Sequence, residues 1–477
     1  SMFFTLVVIP VLYVAIHKRG SRPGPVMAAA LLAISCGVAA HAQPRTLTLD
    51  EAVSLATQHN SAIKIAGEKV KEMDARTREA RASYFPVLSN DTNAAHIARQ
   101  QHLEIARGTL GVYPQIGPLP GSAVSVAQGK PNFLLSTTTA SQPITQYFKI
   151  RAGVDVARAD AAGARADARR AANEIAYKVK EVFYGILTTE RRRDALDAQI
   201  RAAELRIVET RNAIETGVAL EVKATEVRAQ IAQAKHARGQ MQDSVADMKL
   251  ELADLTGLPL DTELELSAPD GSGSDLTPVA ARAVELALAD NPEIEAASHQ
   301  LEKARAGVSA ARAEFIPEVG AYVQYIHQNG AAFVSPNNGA VGLHMTWTAF
   351  EFGKRRGQVS ERKAEVAQAE ENLAHLRRRI QIDVEKAVRK LKRAETALDA
   401  AREQMTSATE ARRVTADQVK AGIANQSVLL DAEAALSGAQ ADFLRAEHDR
   451  GVAAADLARL TGSFEVGETD AGKLKHS

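Results

Sequence analysis

Few residues in this 477-residue chain are spaced to do bond-making chemistry. Its 12 histidines show no H-x-x-H or H-E-x-x-H spacing. A single cysteine, Cys36, allows neither an intramolecular disulfide nor a cysteine zinc site. Gly-x-Gly-x-x-Gly and Gly-x-x-x-x-Gly-Lys-Ser/Thr are both absent, so no nucleotide loop is offered, and no nucleophile–base pair stands out. The expectation is therefore no catalytic residue, no metal and no cofactor. What does recur is a pair of acids. Asp431 and Glu226 hold matching positions 205 residues apart, each shortly after a glycine (Gly422 and Gly217) and each near the start of a predicted helix. A carboxylate there is favoured by the helix dipole and can attract a cation. Read from the residues alone, each is a solvated surface acid.

The elements that carry these acids are themselves duplicated. Asn60 aligns with Asn291 and Pro86 with Pro317, both 231 residues apart. Gly217 aligns with Gly422, and Leu255-Thr256-Gly257 with Leu460-Thr461-Gly462, now 205 apart. The 26-residue difference falls most naturally in a proline-rich loop at about 99–131 of the first copy. A repeat this long is two large structural units.

Composition suggests what the units are. Aromatics make up only 4% of the chain and formal charge is zero, so the sequence offers neither thick globular cores nor a field to attract nucleic acid. No proline occurs from Ile144 to Leu258, or after Pro336, which permits very long helices. Ile380, Val384, Ala387, Leu391, Ala394, Leu398, Ala401 and Met405 step 4-3-4-3, as a coiled-coil seam does. Ile175, Val179, Val182 and Ile186 repeat it in the first copy. Helices are predicted at 49–83, 146–214, 220–256, 279–313, 353–419 and 426–460, with Gly217 and Gly422 capping the long ones. Between the first short helix and the long helix of each copy, windows 84–148 and 315–352 hold 13 of the 21 aromatics. There Val341, Leu343, Met345 and Trp347 alternate with polar residues at strand period. Strands are predicted at about 84–98, 132–143, 316–328 and 340–350. Four strands cannot close a barrel, and open edges are not tolerated in lipid, so a lipid-facing sheet demands oligomerisation.

The expected organisation is a leader at 1–42, a first repeat at 43–258, a linker at 259–278, a second repeat at 279–462 and a tail at 463–477. Met27 to Ala39 is an apolar stretch of secretory length, and Ala40-His41-Ala42 supplies a cleavage signal. Acylation of Cys36 is the rival reading. Residues 1–17 resemble the end of a resistance-nodulation-division (RND) transporter helix; an overlapping upstream gene and an unusually long leader both account for them.

Over residues 46–465 the chain resembles the TolC family of outer-membrane efflux proteins. The carriers are the helix starts Leu49–Asn60 and Ala281–Pro292, the junctions Tyr84-Phe85-Pro86, Phe315-Ile316-Pro317, Gln142-Pro143-Ile144 and Phe350–Arg355, the turns at Gly217 and Gly422, and Leu-Thr-Gly closing each repeat. The resemblance implies a mainly α fold with a transmembrane β part: a homotrimer with a twelve-stranded barrel in the outer membrane of a Gram-negative bacterium, and a periplasmic tunnel of coiled-coil helices. It implies a passive exit duct for drugs, metal ions or other solutes in a tripartite efflux or type I secretion system. Its partners would be a periplasmic adaptor and an inner-membrane pump, with the RND type favoured by the leader. It further implies that Asp431, and at its duplicate position Glu226, form an anionic constriction at the periplasmic tip. Val428, Ala424 and Lys223 depart from the family's charged residues there. Trp347, Tyr322 and Tyr325 are candidates for an interfacial belt against outer-membrane lipid. A periplasmic adaptor or a coiled-coil tether is the alternative, but one hairpin flanked by β domains, or helices alone, would not explain two hairpins plus strands.

Overall fold

A computed structural model describes residues 45–217, 220–267, 277–332 and 334–462. The expected leader with Cys36, residues 268–276 of the linker and the tail from 463 lie outside the described residues. The first repeat runs β1 (Arg45–Leu47), α1 (Leu49–His59), α2 (Ser61–Ala82), β2 (Val87–His96), an outer loop holding β3 (His102–Ile105), β4 (Val112–Tyr113), β5 (Gly117–Pro118) and β6 (Val124–Ala127), then β7 (Gly129–Pro143), α3 (Tyr147–Glu215) and α4 (Glu221–Thr256). After β8 (Leu264–Leu266) the second repeat runs α5 (Thr277–Asp290), α6 (Pro292–Ala313), β9 (Glu318–Ala331), β10 (Asn337–Thr346), α7 (Lys354–Lys420) and α8 (Gln426–Thr461).

The helices expected at 49–83 and 279–313 are each two helices, broken at Asn60 and Asn291. Both asparagines leave the helical region (ψ 134° and 123°) and cap the next helix. Asn60 Oδ1 accepts from the Ala62 amide at 2.8 Å, and its Nδ2 donates to the Leu255 carbonyl at 3.0 Å. Asn291 Oδ1 accepts from Glu293 N, and Nδ2 donates to Leu460 O, both at 2.8 Å. Each asparagine therefore fastens the start of one short helix to the end of another, supplying a donor to a carbonyl that the helix end leaves unpaired. The Leu-Thr-Gly triplets complete these joints. Gly257 and Gly462 adopt φ of +70° and +69°, and a Cβ on either would lie 2.8 Å from His59 Cβ or 2.5 Å from Asp290 O. Only glycine meets both demands.

The joints set the lengths. α3 and α7 reach about 100 Å, whereas α2 and α6 span about 33 Å and α4 and α8 about 54 Å. Each shorter pair, stacked end to end, runs beside a long helix. In the resulting layer α3 packs against α2 and α4 on one side and against α6 and α8 on the other. α7 packs against α6 and α8, with α5 beside its middle. Each repeat has its own core. In the first, Ala52, Ala56, Val179, Val182, Ile186, Leu252 and Leu255 are buried together. In the second, Ala283, Ala287, Val384, Ala387, Leu391, Leu457 and Leu460 stand at the matching positions. The seam on α7 is buried at Ile380, Val384, Ala387, Leu391, Ala394 and Ala401. The rest of its circumference is largely exposed. A short parallel pairing of β1 with β8 ties the start of the first repeat to the linker.

The sheet is antiparallel with order β10-β9-β7-β2, leaving β2 and β10 as open edges. The β2–β7 hairpin closes through residues 97–128, and the β9–β10 hairpin through 332–336. The extra length of the first copy thus lies in this outer loop. The loop is not irregular throughout, since β3 pairs with β6 and β4 with β5.

Candidate functional site

Two regions carry the candidate residues: the sheet with its junctions to the helices, and the opposite helical tips. On the sheet, cross-strand partners share a face. The row Val341–Val323–Ala140–Leu88 and the adjoining Leu343–Ala321 and Met345–Val319 pairs define an apolar face. Val341, Leu343 and Met345 on it are exposed. Towards the outer loops that face turns polar on the β2–β7 side. Asn90 Nδ2 donates to Ser136 Oγ at 3.1 Å and Thr138 Oγ1 at 2.8 Å, and Thr92 Oγ1 donates to Asn90 Oδ1 at 2.8 Å. This ladder explains why β2 is a regular strand without an apolar alternation.

The expected belt of Trp347, Tyr322 and Tyr325 is divided by the register. Tyr325 lies on the exposed apolar face, opposite Gly339 near the outer end, and its hydroxyl donates to Asn337 Oδ1 at 2.9 Å. Trp347 follows the other end of β10 and is 55% exposed. Tyr322 points to the opposite face, because strand side chains alternate. It pairs with Gly342, where a Cβ would meet its ring at 2.9 Å, and its ring lies 6.4 Å from that of His344. Tyr322 therefore lies on the face opposite Tyr325.

A larger aromatic group sits where strands become helices. Tyr84 and Tyr147 have centroids 5.3 Å apart, Tyr147 and Phe148 6.0 Å, and Phe350 and Phe352 4.7 Å. Phe85, Phe148, Phe350 and Phe352 are exposed. Phe352 is 92% exposed and has φ of +47°, a costly conformation for a bulky residue. It is followed by left-handed Gly353, which starts α7. The concentration of aromatics in the two windows signalled this collar; singling out strand aromatics missed it.

At the other end, Gly217 and Gly422 make the turns with φ of +78° and +72°, and a Cβ on either would meet nothing within 4 Å. These glycines are needed for backbone handedness alone. The two candidate acids have different partners. Asp431 on α8 forms a salt bridge with Arg206 on α3, which crosses from one repeat to the other. Two residues on, Glu433 pairs with Arg412 of α7 at 3.0 Å. Among the described residues Glu226 pairs locally, with Lys223 at 3.2 Å. The position duplicating Arg206 is Ala411. On α7 the Arg413 hydrogen bond holds the Glu410 carboxyl below its ordinary value. Apolar side chains are exposed at both tips: Leu220, Val222, Ile423 and Val428.

Among the described residues no group of three or more His, Cys, Asp or Glu could hold a metal, and no helix is long and apolar enough to cross a membrane.

Comparison with known proteins agrees with this geometry. Residues 283–463 match the family described as Outer membrane efflux protein. The alkaline protease secretion protein AprF of Pseudomonas aeruginosa is 24% identical over 360 residues, covering 71% of this chain and 74% of AprF. Among solved structures, the outer-membrane channel OprN superposes with a TM-score of 0.69 at 17% identity, over 87% of this chain and 90% of OprN. VceC of Vibrio cholerae gives 0.67 at 17%, over 87% and 96%. The CmeC outer membrane channel of Campylobacter jejuni gives 0.68 at 15%, over 90% and 88%.

Proposed function

Starting from a chain whose second repeat matches the outer membrane efflux protein family and whose fold is that of TolC-like outer-membrane channels, we propose that it is the passive exit duct of a tripartite efflux or type I secretion system. The carrying observation is that both layers are open at both ends. The sheet exposes β2 and β10 as edges, and the helical layer ends in α7 on one side and α2 with α4 on the other. β2 and β10 run antiparallel within the order β10-β9-β7-β2, so a second copy's β10 can continue the antiparallel ladder beside β2. Three copies give twelve strands and close both layers at once, which removes every sheet edge from lipid. The apolar face, flanked by Tyr325 and by the Trp347–Phe352 collar, then faces the membrane, and the helices extend about 100 Å into the periplasm.

Transport through such a duct needs no group on this chain to make or break bonds. Asp431 and Glu226 form the constriction at the helical tips. Asp431 is held by Arg206, so the hairpins of the two repeats are laced within one chain. Glu226 lacks that lacing and leaves the neighbouring contact freer to move. The exposed apolar tip residues dock a periplasmic adaptor, and an inner-membrane pump supplies the energy, with the RND class favoured over others by the leader sequence. The similarity to AprF, an alkaline protease secretion protein, supports protein secretion as the second cargo class.

The test is outer-membrane fractionation, native mass and planar-bilayer recording of the purified protein. The expected result is an outer-membrane trimer that conducts. A soluble monomer, or a trimer without conductance under any polarity, refutes the duct.

A further inference from the structure

The outer loop of the first repeat ends in a surface that does not suit water. From Thr109 to Gly129 it contains no charged residue over twenty-one positions, in a chain that is 24% charged. Leu110, Val112 and Ile116 at its tip are 68%, 73% and 70% exposed, and Leu119 and Tyr113 are also exposed. Single exposed apolar residues are ordinary, but a contiguous uncharged group marks an interaction surface.

The tip is also a built object. Gly108 N donates to Pro120 O at 3.1 Å, Leu110 N to Leu119 O at 2.9 Å, and Leu119 N to Gly111 O at 2.9 Å. β4 pairs with β5 across it, and Pro114, Pro118 and Pro120 restrict its backbone. Such a tip loses little entropy when it is covered. Its stalk, the β3–β6 ladder, rises from a base lodged against the second hairpin. There a Cβ on Gly129 would come within 2.4 Å of Gly330 O, and Lys130 Nζ donates to Asn329 Oδ1 at 3.4 Å.

We propose that three of these tips, one from each copy, pack against one another over the barrel mouth and form an apolar outer lid. The proposal rests on the trimeric duct. Two observations select a second and third copy as the occupant. The loop is fed by β2, the open edge of the sheet, so its stalk stands at the seam between copies. Its reach is also sufficient. The six residue pairs of the two ladders span about 20 Å, whereas a twelve-stranded barrel tilted by about 40° has a radius of only about 12–13 Å. Identical uncharged tips meet without like-charge repulsion, and each buries apolar surface on the other two. A lid of this kind closes the outer end and parts when cargo is driven through.

The test uses the full chain in outer membranes. Ile116→Cys, treated with a short bis-maleimide, should give cross-linked dimers in most of the trimer population, while the parent chain, whose one cysteine is Cys36, gives none. In planar bilayers the pair Val112→Asp with Ile116→Asp should at least double conductance, because like charges drive the tips apart. Native mass on the same samples separates the two levels of the argument. A trimer with neither cross-link nor conductance change overturns the lid and leaves the duct standing; loss of the trimer in the parent chain overturns the duct itself. Quenching of a fluorophore at Ile116→Cys by spin-labelled lipid would place the tip in the outer leaflet and also overturn the lid.

Discussion

Replacing Asn291 with alanine should open the joint between α6 and α8 while leaving the matching joint of the first repeat closed. Asn291 is 4% exposed and makes both kinds of bond there: its oxygen caps α6 and its amide nitrogen satisfies the Leu460 carbonyl. Loss of the cap costs about 1 kcal/mol. A buried carbonyl left without a donor costs about a further 1–3 kcal/mol. The sum, about 2–4 kcal/mol, corresponds to roughly a 30- to 900-fold rise in local opening. Hydrogen exchange followed by mass spectrometry reads this directly on peptides from 446–462 and 283–300. Asn291→Asp separates the contributions, because a carboxylate still accepts from Glu293 N but offers nothing to Leu460 O. It should keep α6 protected while the end of α8 exchanges faster. Asn60→Ala should do the same to α4 and α2. Exchange at 452–461 within threefold of the parent in both Asn291 variants would show that Leu460 O has another donor, and would refute the joint.

Three further outcomes follow from the same geometry. Gly462→Ala should destabilise much more than Gly422→Ala; both incur the left-handed penalty of about 1–2 kcal/mol, but only at Gly462 would the new Cβ strike a carbonyl, at 2.5 Å. Heat resistance of the trimer on gels ranks them, and equal losses would count against the close approach. Arg206→Ala and Asp431→Ala should each raise open probability in bilayers, and the double variant should add little; additive effects would mean that the two side chains act separately. Burial holds the Glu447 carboxyl above its ordinary value. The stability it contributes is therefore full below the unfolded-state pKa and is lost as pH rises through the folded one. Glu447→Gln should flatten the fall in melting temperature across that interval, and an unchanged slope would remove Glu447 as a source of the pH dependence.

Much of the architecture follows from local rules that the sequence states twice. The heptads at Ile175–Ile186 and Ile380–Met405, the proline-free runs and the glycine turns determine long helices by themselves, because 3.6-residue periodicity and left-handed caps depend on neighbours a few positions away. The alternation at Val341–Trp347 likewise determines a strand with one apolar face. Pro292 even marks one helix break, since the residue before a proline is pushed out of the helical region. The break at Asn60 has no proline: its local cap on Ala62 N is completed by a bond to a carbonyl 195 residues away. The face of Tyr322 was decided by pairing register, and the partner of Asp431 by the packing of α8 against α3, neither of which has a local cause. Short-range periodicity determined the parts and their lengths. Tertiary structure decided which side chains meet, because those contacts join residues that only the folded layer brings together.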